Sequence, residues 1–114
     1  MNVKNKTTKE LEEICLQIRN RIIDVVSRNG GHFSSTLGAV ELTVGMHYVF
    51  DANHDPFIFD VSHQCYPHKL ITGRWESFET IRQFNGLSGF TKPKESSADY
   101  FVAGHSSTSI SLAI

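Results

Sequence analysis

No stretch of this sequence is apolar for long enough to cross a bilayer. A spanning helix needs about 20 such residues in a row, and the apolar runs here are as short as Phe57-Ile58-Phe59 and Tyr100-Phe101-Val102-Ala103. Neither sign of charge dominates, with 11 Lys and Arg against 12 Asp and Glu, so composition favours neither nucleic acid nor an acidic membrane surface. Two cysteines, Cys15 and Cys65, are too few for a disulfide framework, which makes a reducing cytoplasm the default compartment. The opening residues, Met1 to Lys6, lack the apolar core of a signal peptide. Cys-x-x-Cys, His-Glu-x-x-His and the Gly-Lys-Ser/Thr of a Walker loop are all missing. There is no internal repeat, low-complexity tract or linker. The remainder is one small domain of 114 residues, near the lower limit for an adequate core.

Helical and strand-like patterns are both present. Thr7-Thr8-Lys9-Glu10 has the form of a capping box. Leu11, Ile14, Cys15, Ile18, Ile22, Val25 and Val26 then fall on one helical face, until Gly30-Gly31 ends the run. Ser34 or Ser35 caps a second helix expected to continue to about Phe50, with Leu37, Val40, Val44 and Tyr48 on one side. Asp51 to Pro56 is turn chemistry. Phe57 to Val61 reads as a short buried strand, Pro67 to Ile71 as a short helix stopped by Gly73, and Trp75 to about Gln83 as another with Phe78 and Ile81 inward. Asn85-Gly86 marks a turn, Thr91 to Asp99 an exposed polar loop, and Tyr100 to Ala103 a second strand. Ser109 to Ile114 opens like a helix with no closing signal. Fraying and a cut from something longer both account for that, and the cut is the favoured expectation.

Six histidines raise the question of a metal. His63 and His68 are poorly spaced for a helical zinc pair, with Pro67 between them. His47 is expected to be a packed or surface residue of its helix, His54 a solvated turn residue, and His32, taken alone, a structural one. Two strand-end loops are more informative. One is Asp60 to Lys69; the other is Gly104-His105-Ser106-Ser107-Thr108. Loops beyond the carboxyl ends of strands are where open α/β sheets bind ligands. The second loop would expose backbone N–H groups at a helix start, suited to phosphate. An ordinary Ser/Thr helix cap explains the same residues.

Taken in order, the segments Gly31 to Gly38, Val40 to Val44, His47 to Phe50, Asp60 to Lys69, Ile71 to Arg74, Thr80 to Gln83, Gly86 to Phe90 and Gly104 to Ser109 resemble the N-terminal part of the 1-deoxy-D-xylulose-5-phosphate synthase family. These are thiamine-diphosphate enzymes related to transketolase. The resemblance runs from about Leu11 to the last residue.

It implies an α/β fold, an incomplete transketolase-like thiamine-diphosphate-binding domain of helices with a short parallel sheet, occupying residues 1–114 as a truncated N-terminal diphosphate-binding domain. It implies a transferase activity that joins pyruvate to glyceraldehyde 3-phosphate with loss of carbon dioxide, feeding isoprenoid, thiamine and pyridoxal synthesis in the cytoplasm. It further implies that His63 contacts the cofactor and that Gly104, His105 and Ser106 line its binding loop. His32 and His105 are then the catalytic candidates, handling protons or orienting substrate near the reacting carbon. A homodimer is a candidate assembly; no nucleic acid or membrane partner is implied.

Two departures stand out. Ser62 and Cys65 occupy positions where the family usually has glycine and alanine. The family's Gly-Asp-Gly segment and later asparagine, which bind Mg2+, would lie beyond Ile114, as would the pyrimidine-binding domain. The chain alone is therefore expected to be inactive, and no residue in it is assigned to metal. The alternative is a non-enzymatic truncated remnant that associates with a synthase or transketolase-like partner.

Overall fold

The computed structural model describes residues 1–30, 34–59 and 62–100, with the side chains at 34, 35, 62 and 63 outside the description. Four α-helices stand in it: α1 (Thr8–Asn29), α2 (Ser34–Gly38), α3 (Val40–Val49) and α4 (Tyr66–Ile71). Single 3₁₀ turns lie at Ser62–Cys65 and Ser77–Thr80.

The first helix forms as its pattern predicts. The Glu10 amide donates to Thr7 Oγ1 at 3.2 Å, and the Thr7 amide donates to Glu10 Oε1 at 3.0 Å. Two N–H groups that a bare helix start leaves unpaired are thereby satisfied. At the other end Gly30 takes φ +85°, a region costly for residues with a Cβ, while its amide still reaches the Val26 carbonyl. Cys15, Ile18, Ile22, Val25 and Val26 are buried, with Leu11 and Ile14 packed at the margin.

The second expected helix is broken in two. Ala39 sits at φ −97°, ψ 0° and its amide closes a tight turn onto the Thr36 carbonyl before α3 begins. Gly38, a weak helix residue, stands immediately before the break. The buried face of α3 is Val40, Thr43, Val44 and His47, whereas Tyr48, expected inward, is 44 % exposed. Lys4 ends this helix: its Nζ donates to the carbonyls of His47 (2.6 Å) and Phe50 (2.8 Å). A cation there also complements the negative end of the helix dipole.

All six residues of α4 are buried. This short helix is the centre of the molecule, and Tyr66, Leu70 and Ile71 join the α1 and α3 residues in one core with Phe78 and Ile81. Pro67 occupies its first turn, where no amide is needed. Gly73, at φ +91°, follows its end.

Three expectations are corrected. Residues 57–59 form no strand, and no strand occurs among the described residues. Phe57 is nonetheless buried, as expected. Extended segments become strands only by pairing, and of the expected partner at 100–103 only Tyr100 is described. The helix expected at 75–83 shrinks to the 3₁₀ turn Ser77–Thr80, because Arg82 (φ +60°) leaves helical geometry; Phe78 and Ile81 are still inward. The supposedly exposed loop 91–99 is anchored inside the protein: Thr91, Ala98 and Asp99 are buried.

Candidate functional site

Asp99 is the least expected interior residue, and it organises the chain's polar interior. Its Oδ1 lies 2.9 Å from both His68 Nε2 and Arg74 Nη2, and its Oδ2 lies 2.8 Å from Arg74 Nη1 and the Lys92 amide. Burial pushes the Asp99 carboxyl up, but the hydrogen bonds from His68, Arg74 and the Lys92 amide outweigh it and hold the group well below the usual carboxylate range. Arg74 also reaches Glu95 Oε1 at 3.0 Å, and that oxygen accepts from the fully buried Lys69 Nζ at 2.7 Å. Glu95 Oε2 in turn accepts the Ser88 amide at 2.7 Å. Two cations and two carboxylates thus compensate one another in the interior, the condition under which such groups are tolerated there.

The network continues to α3. His68 Nδ1 is 2.9 Å from His47 Nε2, with the rings stacked at 5.0 Å. An ionised carboxylate only accepts, so His68 Nε2 carries the proton shared with Asp99. His68 Nδ1 and His47 Nε2 share one proton between the two rings. Burial, then His68 and then Lys4, lowers the His47 pKa to about 3, consistent with a neutral ring. Phe57 meets His47 edge-on at 4.7 Å, and Phe59 lies 5.2 Å from the His68 ring.

The Ser62–Cys65 turn, which carries His63, runs directly into α4 and packs against α2. Ser62 opens a right-handed 3₁₀ turn, a geometry that does not demand glycine. Cys65 is fully buried and its Sγ is 3.9 Å from the Gly89 carbonyl; burial pushes its thiol up to about 12.

The predicted site residues His32, Gly104, His105 and Ser106 lie outside the described residues, as does the His63 side chain. The described structure therefore brings none of them together. It adds a group that the sequence pattern did not bring together, His47, His68, Arg74 and Asp99. Its signal was three basic side chains, His68, Lys69 and Arg74, in and just after a short helix otherwise rich in apolar residues. His54 is a solvated turn residue as expected. Among the described residues no cluster of three or more His, Cys, Asp or Glu is placed to hold a metal, and no helix is long and apolar enough to cross a membrane.

Comparison with known proteins supplies the class first. The chain matches, along its whole length, proteins about five times longer, and spans roughly a fifth of each. It is 82 % identical over 114 residues to a 1-deoxy-D-xylulose-5-phosphate synthase of Aliarcobacter butzleri, covering 100 % of this chain and 19 % of that protein. Identity is 75 % to the protein of the same name from Wolinella succinogenes (100 % and 18 %), and 72 % to that from Nitratiruptor sp. (100 % and 19 %). The family model described as 1-deoxy-D-xylulose-5-phosphate synthase matches residues 1–114. The chain belongs to this family and corresponds to its N-terminal part.

Proposed function

We propose that the chain is the N-terminal, diphosphate-binding part of a thiamine-diphosphate-dependent transferase that joins pyruvate to glyceraldehyde 3-phosphate and releases carbon dioxide. The observation that carries this reading is the 82 % identity along the entire chain to a relative named for that synthase. The proposal includes the finer fold, a transketolase-like domain with a short parallel sheet, supported by the family match along residues 1–114.

When bound, thiamine diphosphate supplies an electron sink for the carbanion formed on loss of carbon dioxide. The chain's own work is to hold and orient. His63 contacts the cofactor from the turn that precedes α4. Gly104, His105 and Ser106 offer a loop of small residues whose N–H groups suit a diphosphate. His32 and His105 hold or move protons beside the reacting carbon. The Mg2+ that accompanies the diphosphate is held by residues outside this chain. A cytoplasmic homodimer is the proposed setting.

The test is a graft in which these 114 residues replace the corresponding segment of the Aliarcobacter butzleri relative. Synthase turnover from pyruvate and glyceraldehyde 3-phosphate is expected in the graft and not in the chain alone. A well-folded graft without turnover, beside an active parent relative, contradicts the reading.

A further inference from the structure

The proposed chemistry uses the histidines at 32, 63 and 105 and leaves the Asp99–His68 pair without a role, although both side chains are wholly enclosed. Their position in the fold suggests one. The turn carrying His63 passes without a break into α4, and His68 is the third residue of that helix. His68 is gripped from two sides, by Asp99 at Nε2 and by His47 of α3 at Nδ1, each at 2.9 Å. Apolar packing by Tyr66, Leu70 and Ile71 already buries α4, but such packing is non-directional. Hydrogen bonds have preferred distances and angles, so the pair fixes the rotation and axial position of the helix where packing alone would not. A buried ion network is also weak evidence for net stability, which makes geometry its more economical explanation.

We propose that Asp99 is a positioning residue for the His63 turn: it holds the N–H of His68 Nε2 in place and so seats α4, with the turn at its start, against the 88–99 segment. This deepens and rests on the reading that His63 contacts thiamine diphosphate. All four acceptor positions of the carboxylate are in use. In Asp99→Asn one of its two oxygens becomes a donor. Either Arg74 and the Lys92 amide lose an acceptor, or His68 must give up its N–H at Nε2 and accept there instead.

The first arm needs no activity. In the full chain, ¹⁵N-labelled imidazoles should show His68 protonated at Nε2, the nitrogen facing Asp99. Asp99→Asn should shift that pattern together with the backbone amides of 62–65, while amides in the first turns of α1 stay in place. If the 62–65 amides do not move, the proposal is overturned whatever the graft does. Where Asp99→Asn does not fold, His68→Gln and His68→Leu replace it. Gln keeps an N–H towards Asp99 and should leave the 62–65 amides close to their original positions; Leu should displace them. Equal displacement by both overturns the proposal. In the second arm, on the graft, Asp99→Asn should raise the thiamine-diphosphate concentration for half-saturation by about tenfold or more, the scale seen when a partner that orients a ligating side chain is removed. His68→Gln should recover much of the loss seen in His68→Leu. An unchanged half-saturation in an active Asp99→Asn graft also overturns it. An inactive unmutated graft counts against the proposed function alone, because the first arm still decides the positioning.

Discussion

His68 Nε2 and Asp99 Oδ1 meet at 2.9 Å with neither side chain exposed to solvent, joining residues 31 apart in sequence. Through Arg74, which meets both oxygens of the same carboxylate, this contact closes the 91–99 segment onto α4. Removing Asp99 leaves a buried guanidinium with only Glu95 and Thr72 as side-chain partners among the described residues.

The first prediction follows. Asp99→Ala should cost roughly 3–5 kcal/mol of folding stability, the range for breaking one side of a buried ion pair. Urea unfolding of the chain measures it. A loss below about 1 kcal/mol would show that the pair behaves as an exposed one.

Acid should weaken the fold through the same groups. His47 has its pKa lowered from 6.5 to about 3, so between these values the unfolded chain binds a proton that the folded chain does not. Stability is then complete above pH 6.5 and falls with pH at up to ~1.4 kcal/mol per unit from this residue alone. Asp99, also lowered, acts with the same sign below the ordinary carboxylate range. The slope of the urea midpoint between pH 6.5 and 4.5 should be clearly shallower in His47→Gln. Equal slopes in the two proteins would place His47 in solvent.

The Cys65 thiol should be inert. With its pKa pushed up to about 12 and no exposure, thiolate is scarce at neutral pH and reagent has no access. Labelling by a disulfide reagent at pH 8 should proceed only at the rate of unfolding. Rapid labelling of Cys65 in the folded chain would mean that the 62–65 turn opens readily.

Gly86 should be intolerant of any side chain. A Cβ there would press on the Thr80 carbonyl and come within 2.6 Å of Thr80 Cβ. Backbone cannot yield as a flexible side chain would, so Gly86→Ala should cost about 1–3 kcal/mol, as overpacking does. Gly45→Ala is the control, since nothing lies within 4 Å of a Cβ there, and alanine is the better helix former. Equal losses in both would remove the steric explanation.

What was legible in the sequence divides along physical lines. Helix α1 was readable nearly to its ends, because its capping box, its apolar stripe and its closing glycine are all local signals. The inward Phe78 and Ile81, and the helix around Pro67, were legible for the same reason. Asp99 was not: it sits among Lys92, Lys94, Glu95 and two serines, and local composition there indicates an exposed loop. Only Arg74 and His68, distant in sequence, explain its burial. The break at Ala39 hinged on one residue's geometry, which a run of helical spacing conceals. The expected site at His32, His63 and the 104–106 loop came from the order of whole segments, and the family match bears out the resemblance itself. The roles of those residues remain the proposal made above.

Calorimetric titration of the graft with thiamine diphosphate in the presence of Mg2+ tests the central claim most directly. The account predicts binding in the graft and a weakening on the order of tenfold or more in His63→Ala, the loss of one hydrogen bond to a charged group. Binding by His63→Ala as tight as by the unmutated graft would contradict it.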